Sequence, residues 1–146
     1  GAHSDYQALP APKALVHGDH LIAVAGAPGD LLRVGTKNGS RIVKTGRIAA
    51  YSLTGGHRVW TSEFNGDPIG LVPDGDSVVV LSDRQQLVRV DANTGEKLLD
   101  EGLPRNLYQP AHLWVEQGRY VVVARNGGWD EEYRPVRVYT LDPNAR

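Results

Sequence analysis

One block recurs three times along this chain, and self-similarity in a fixed order constrains the fold more than any bulk property does. The copies run from Pro12 to Val24, from Pro68 to Val80 and from Pro110 to Val123. Each holds a proline, a short apolar stretch, a turn containing Gly18, Gly75 or Gly118, and a β-branched run. A second shared pattern follows: Ala50 to Trp60 lies over Arg89 to Leu99 without a gap, and Tyr139 to Asn144 begins the same pattern again. Repeats of this size are single supersecondary units that bury their apolar faces only by stacking on neighbours.

Helical periodicity is nearly absent. The apolar runs are short, β-branched and bounded by Gly, Pro, Asn and Asp, which is the signature of strands. The spacing predicts a unit of four antiparallel strands, a to d. In the first unit they fall near Lys13–His17, His20–Ala25, Arg47–Leu53 and His57–Phe64. In the second they fall near Ile69–Val72, Asp76–Ser82, Gln86–Asp91 and Glu96–Asp100. The third offers His112–Glu116, Arg119–Arg125 and Val136–Asp142, with no sequence for strand d. Thr54-Gly55-Gly56 and Asn93-Thr94-Gly95 read as hairpin turns in which glycine takes positive φ. The units divide as residues 12–67, 68–109 and 110–146, after an N-terminal extension, 1–11. Gly1-Ala2-His3-Ser4 reads as a cloning scar.

At 146 residues with 40% hydrophobic content, the chain suits one globular domain with a sizeable core. A net charge of -1 argues against a nucleic-acid partner. No apolar run approaches the ~20 residues that span a bilayer, so no membrane insertion is expected, and no signal-peptide pattern is seen. With no cysteine, disulfides and thiolate chemistry are excluded. With no methionine, the chain reads as a processed or excised piece.

Four-stranded units with a Trp late in strand d suggest β-propeller blades. The run Val90-Asp91-Ala92-Asn93-Thr94-Gly95-Glu96-Lys97-Leu98-Leu99 resembles the repeat of the pyrroloquinoline-quinone-type (PQQ-like) propeller family. That resemblance covers about Pro12 to Asn144 and implies an all-β, partial propeller of about three blades, the third incomplete. It also implies a bacterial, extracytoplasmic protein. Only the first unit keeps the aromatic, Trp60, where the second has Leu99. Quinone-dependent dehydrogenases of the resembled family use a larger closed ring with a central quinone and Ca²⁺, and an adjacent Cys pair near the cofactor. A chain with no cysteine and three blades is not expected to be an enzyme, and no cofactor is expected. Three blades leave two sheet faces open to water, which calls for a partner protein, the rest of a larger propeller or a second copy closing the ring. The segment Ser4–Pro10 is a further candidate, as the missing fourth strand of a last blade.

Candidate functional residues lie in the longest b–c connections. Pro12 to Pro68 spans 56 positions and Pro68 to Pro110 spans 42, so the first unit carries 14 extra residues. They fall within Gly26–Gly46 and carry Arg33, Lys37, Arg41 and Lys44 against Asp30. The third unit has a long b–c loop at residues 126–135 with Trp129, Asp130, Glu131, Glu132, Tyr133 and Arg134. Such loops share one face of a propeller with the d–a links, and insertions cluster on binding faces. Exposed aromatics among charges suit a partner-binding patch. The competing reading is a solvated hairpin extension, with Leu31–Val34 pairing Ile42–Lys44. Three consecutive acids do not easily converge on Ca²⁺, and no metal site is expected. The pair His17 and His20 suggests a metal, but the same turn of the second unit has Asp74-Gly75-Asp76 and no histidine, so a turn rule explains it better. His112 sits beside Trp114 on an inner strand and reads as a core or channel-lining residue. No nucleophile elbow, phosphate loop or dinucleotide fingerprint appears. The expected function is a non-catalytic protein-binding module, as a scaffold or sensor. The alternatives are a piece of a larger ligand-binding or enzymatic propeller, and a half-ring that self-associates.

Overall fold

The computed structural model describes residues 13–36, 39–104, 110–125 and 136–143. Among them every regular element is a strand. The first sheet contains β1 (Lys13–His17), β2 (His20–Thr36), β3 (Gly39–Ser52) and β4 (Arg58–Asn65). The second contains β5 (Pro68–Asp74), β6 (Ser77–Ser82), β7 (Gln86–Asp91) and β8 (Lys97–Gly102), and the third β9 (Pro110–Glu116), β10 (Arg119–Arg125) and β11 (Val136–Leu141). Each sheet pairs its strands in chain order, giving sheets of four, four and three strands. The all-β, partial-propeller reading is therefore correct, and among the described residues the third sheet has three strands. The chief departure is in length: β2 and β3 run far past the expected Ala25 and Arg47, because the insertion of the first unit is itself paired. The N-terminal segment Ser4–Pro10 lies outside the described residues.

The run Asp91-Ala92-Asn93-Thr94-Gly95 makes chemical sense in the second c–d turn. One carboxylate oxygen of Asp91 accepts from the backbone N–H groups of Asn93 (2.8 Å) and Thr94 (3.0 Å). These bonds favour the charged form and hold the Asp91 pKa below its ordinary 3.8. The backbone closes the turn from Gly95 N to Asp91 O (2.8 Å), with Gly95 at φ +79. In the first sheet Ser52 does the same job. Its hydroxyl accepts from Gly55 N (3.1 Å), and its carbonyl accepts from Gly56 N (2.8 Å). A short oxygen-bearing side chain that caps its own turn is what both copies retain.

Packing makes the middle sheet the centre of the molecule. All six residues of β6, Ser77–Ser82, are buried, because both faces of this sheet are covered. Val78 and Val80 join Ile22, Val24, Ile48, Trp60 and Phe64 in one core, while Val79 and Leu81 join Leu113, Tyr120, Val122 and Leu141 in the other. A strand whose four central residues, Val78 to Leu81, are all apolar has to be sandwiched in this way. Each such side chain contributes about 1.5–3 kcal/mol on full burial.

Polar contacts fix how the sheets stack. The indole Nε1–H of Trp60 donates to the Ala92 carbonyl (3.1 Å), and the ring lies against Gly95 of the next sheet's turn. His17 bonds through Nε2 to the Gly75 carbonyl (2.8 Å), and His20 through Nδ1 to the Ala92 carbonyl (3.3 Å). Since a carbonyl only accepts, His17 carries its proton on Nε2 and His20 on Nδ1. Between the second and third sheets, the buried Tyr120 donates its hydroxyl to Asp74 Oδ2 (2.6 Å), and Arg89 sits 3.9 Å from the same oxygen. Burial and this bond raise the Tyr120 pKa well above its ordinary 10.0.

The three a–b turns are not equivalent. In the first two, Gly18 and Gly75 take positive φ and open the turn, pairing His17 with His20 and Asp74 with Ser77. In the third, Gln117 (φ 52) and Gly118 (φ 76) both take positive φ, and Glu116 pairs with Arg119. Aligning the copies on their glycines therefore misplaces β10 by one residue, which would exchange its two faces. By register, Val121 is the counterpart of Val79 and Ile22, while Tyr120 and Val122 point back into the second sheet.

Two stability outcomes follow. A Cβ at Gly95 would lie 2.6 Å from the Trp60 ring, whereas at Gly75 nothing stands within 4 Å. In urea unfolding, Gly95→Ala should cost about 2–3 kcal/mol and Gly75→Ala about 1 kcal/mol, the latter from backbone strain alone. Equal costs would show that Trp60 does not press on the turn. Because the folded-state pKa of Tyr120 is raised, its contribution is complete below pH 10 and is lost as pH rises through the folded value. Tyr120→Phe should therefore cost about 1–2 kcal/mol at neutral pH and flatten the alkaline limb of stability measured against pH.

Candidate functional site

The face bearing the b–c connections begins from a rigid base. β4 ends at Asn65, which pairs with Thr45, and one rung earlier Phe64 pairs with Gly46. A Cβ at Gly46 would fall 2.3 Å from the Phe64 ring, so the ring covers the glycine backbone and pins the outer corner of the blade. The d–a link and the next blade's b–c turn are tied together here. Asp83 Oδ1 accepts from Asp67 N (2.8 Å), Asp83 N donates to the Asp67 carbonyl (2.9 Å), and Asn65 N donates to Gln86 Oε1 (2.9 Å). Gln86 Nε2 in turn donates to Asp100 Oδ1. The Ser82 hydroxyl, fully buried, accepts from Arg84 N (3.2 Å) and Gln86 N (3.3 Å). At the next link, Leu103 N donates to the Gln85 carbonyl (2.7 Å). The expectation that b–c turns and d–a links share one face is correct.

From this base a two-stranded ribbon leaves the blade. The register of β2 on β3 breaks between Gly26 and Leu31, an irregularity of the bulge kind that re-aims a strand pair. Beyond it six rungs follow, from Leu31↔Lys44 to Thr36↔Gly39, and no third strand joins them among the described residues. At about 3.3 Å per residue the projection is roughly 20 Å long. The pairing of Leu31–Val34 with Ile42–Lys44 is the one read from the sequence.

Of the candidate partner-binding residues, the ribbon gathers three. Lys44 stands opposite Leu31, Arg33 opposite Ile42 and Arg41 opposite Val34, so all three fall within four consecutive rungs. Lys37 lies outside the described residues, as do Trp129, Asp130, Glu131, Glu132, Tyr133 and Arg134. The loop that holds these last six springs from the terminal rung of the third sheet, Arg125↔Val136.

A second concavity lies where the innermost strands of the three sheets meet. It is an open cleft of about 380 Å³ lined by Lys13, Ala14, Ile69, Gly70, Leu71, Val72, His112 and Leu113. His112 lines it and is exposed, with its ring stacked on Trp114 at a centroid distance of 5.4 Å. The channel-lining reading of His112 is the one the structure supports. The cleft does not fit the cofactors of the quinone enzymes, because Ca²⁺ takes about six to eight oxygen ligands. The side chains here offer one ammonium and one imidazole. Among the described residues, no group of three or more His, Asp or Glu side chains converges. No helix among them is long and apolar enough to cross a membrane.

His17 and His20 are the residues whose role sequence reasoning missed. They bind the following blade through its backbone carbonyls. Only their absence from the equivalent turn of the second unit hinted at a blade-specific role.

Comparison with known proteins bears on the fold and the family. Residues 44–143 match the model of a PQQ-type repeat family described as outer membrane protein assembly factor BamB. No curated protein matches. Among solved structures, the chain is similar to the quinohemoprotein alcohol dehydrogenase ADHIIG from Pseudomonas putida HK5, at 16% identity and a TM-score of 0.41. That match covers 75% of this chain but 19% of the dehydrogenase, so the chain spans a small part of that structure's length.

Proposed function

Because the chain belongs to the PQQ-type repeat family described as outer membrane protein assembly factor BamB, we propose that it is a non-catalytic, extracytoplasmic protein-binding module of bacterial origin. Its work on this reading is to hold another protein, as a scaffold or a sensor does, through the face that carries the b–c connections. The observation that carries the reading is the β2–β3 ribbon. A hairpin that projects roughly 20 Å beyond the other two strands of its sheet carries Arg33, Arg41 and Lys44 on four rungs. By register Lys44 and Arg33 belong to one face of the ribbon and Arg41 to the other, and cations on a projection suit an acidic partner surface, which they would steer as well as hold. The aromatic and acidic loop at residues 126–135, which leaves the third blade by the corresponding connection, would widen the contact.

The test is direct. A photo-cross-linking residue at Thr36, at the last rung of the ribbon, should capture a discrete protein from bacterial envelopes. The combined change R33E/R41E/K44E should abolish that adduct while altering stability by less than about 0.5 kcal/mol. An adduct formed with undiminished yield by the charge-reversed chain would remove the ribbon from the binding face.

The reading as a small-ligand or enzymatic propeller makes a different forecast. A ligand held by the folded state alone stabilises it by RT ln(1 + [L]/Kd), about 2.7 kcal/mol at a hundredfold excess over Kd. Thermal unfolding with Ca²⁺, pyrroloquinoline quinone or simple sugars should leave the midpoint unchanged. A clear upward shift with any of them would transfer the function to the central cleft.

A further inference from the structure

We draw no further inference here: the strongest candidate, the open cleft lined by Lys13 and His112 where the innermost strands of the three sheets meet, offers among the described residues one ammonium and one exposed imidazole, which suit any small anion and single out none.

Discussion

A four-stranded antiparallel sheet has two faces, and every part of this structure depends on what covers them. The second blade solves the problem fully: β6 is buried along its whole length because a neighbour stands on each side. Among the described residues, the first and third blades are covered on one side only. Their inner faces supply the two apolar cores, while their outer faces carry Val16, Tyr51, Trp114 and Val138 in contact with solvent. Removal of apolar surface from water drives this stacking, but it is non-directional and cannot by itself fix the angle or register at which one sheet meets the next.

Hydrogen bonds at the rims of the sheets supply that direction. Trp60 and His20 converge on one carbonyl, that of Ala92, and His17 reaches that of Gly75. The Ala92 carbonyl belongs to a turn whose geometry is set by Asp91, the counterpart of Ser52 in the first sheet. A turn side chain therefore positions a carbonyl, and the carbonyl positions the neighbouring blade. The second interface uses side chains instead, with Tyr120, Asp74 and Arg89 meeting at its edge. Buried donors left without partners would cost more than such bonds contribute, so the same contacts that direct the stacking also penalise any slip from it.

The ribbon obeys a different logic. It leaves the blade where β4 ends and Phe64 closes over Gly46, so its base is anchored by the core. A projection of this kind is free to vary without loss of the fold, which is where binding surfaces evolve on repeat scaffolds.

Much of this was legible from residues alone. Proline, turn and β-branched run recur in order, so three units, their strands and the missing strand d could be counted. The pairing of Leu31–Val34 with Ile42–Lys44 was legible as a hairpin extension, though its rung-by-rung register was not. Three things required the tertiary structure. The run Val121-Val122-Val123 has no polar residue to mark a face, so only the two positive-φ residues Gln117 and Gly118 decide which valines point inward. The partners of His17 and His20 are backbone carbonyls 58 and 72 positions away, and a carbonyl leaves no trace in a sequence. The loss of Trp at Leu99 was visible, but its meaning was not, because what Trp60 does depends on a glycine in another blade. The sequence by itself determined the local units, since strand period and turn chemistry are properties of neighbouring residues. Their mutual orientation was decided only by the tertiary structure, since it rests on contacts between surfaces that are distant along the chain.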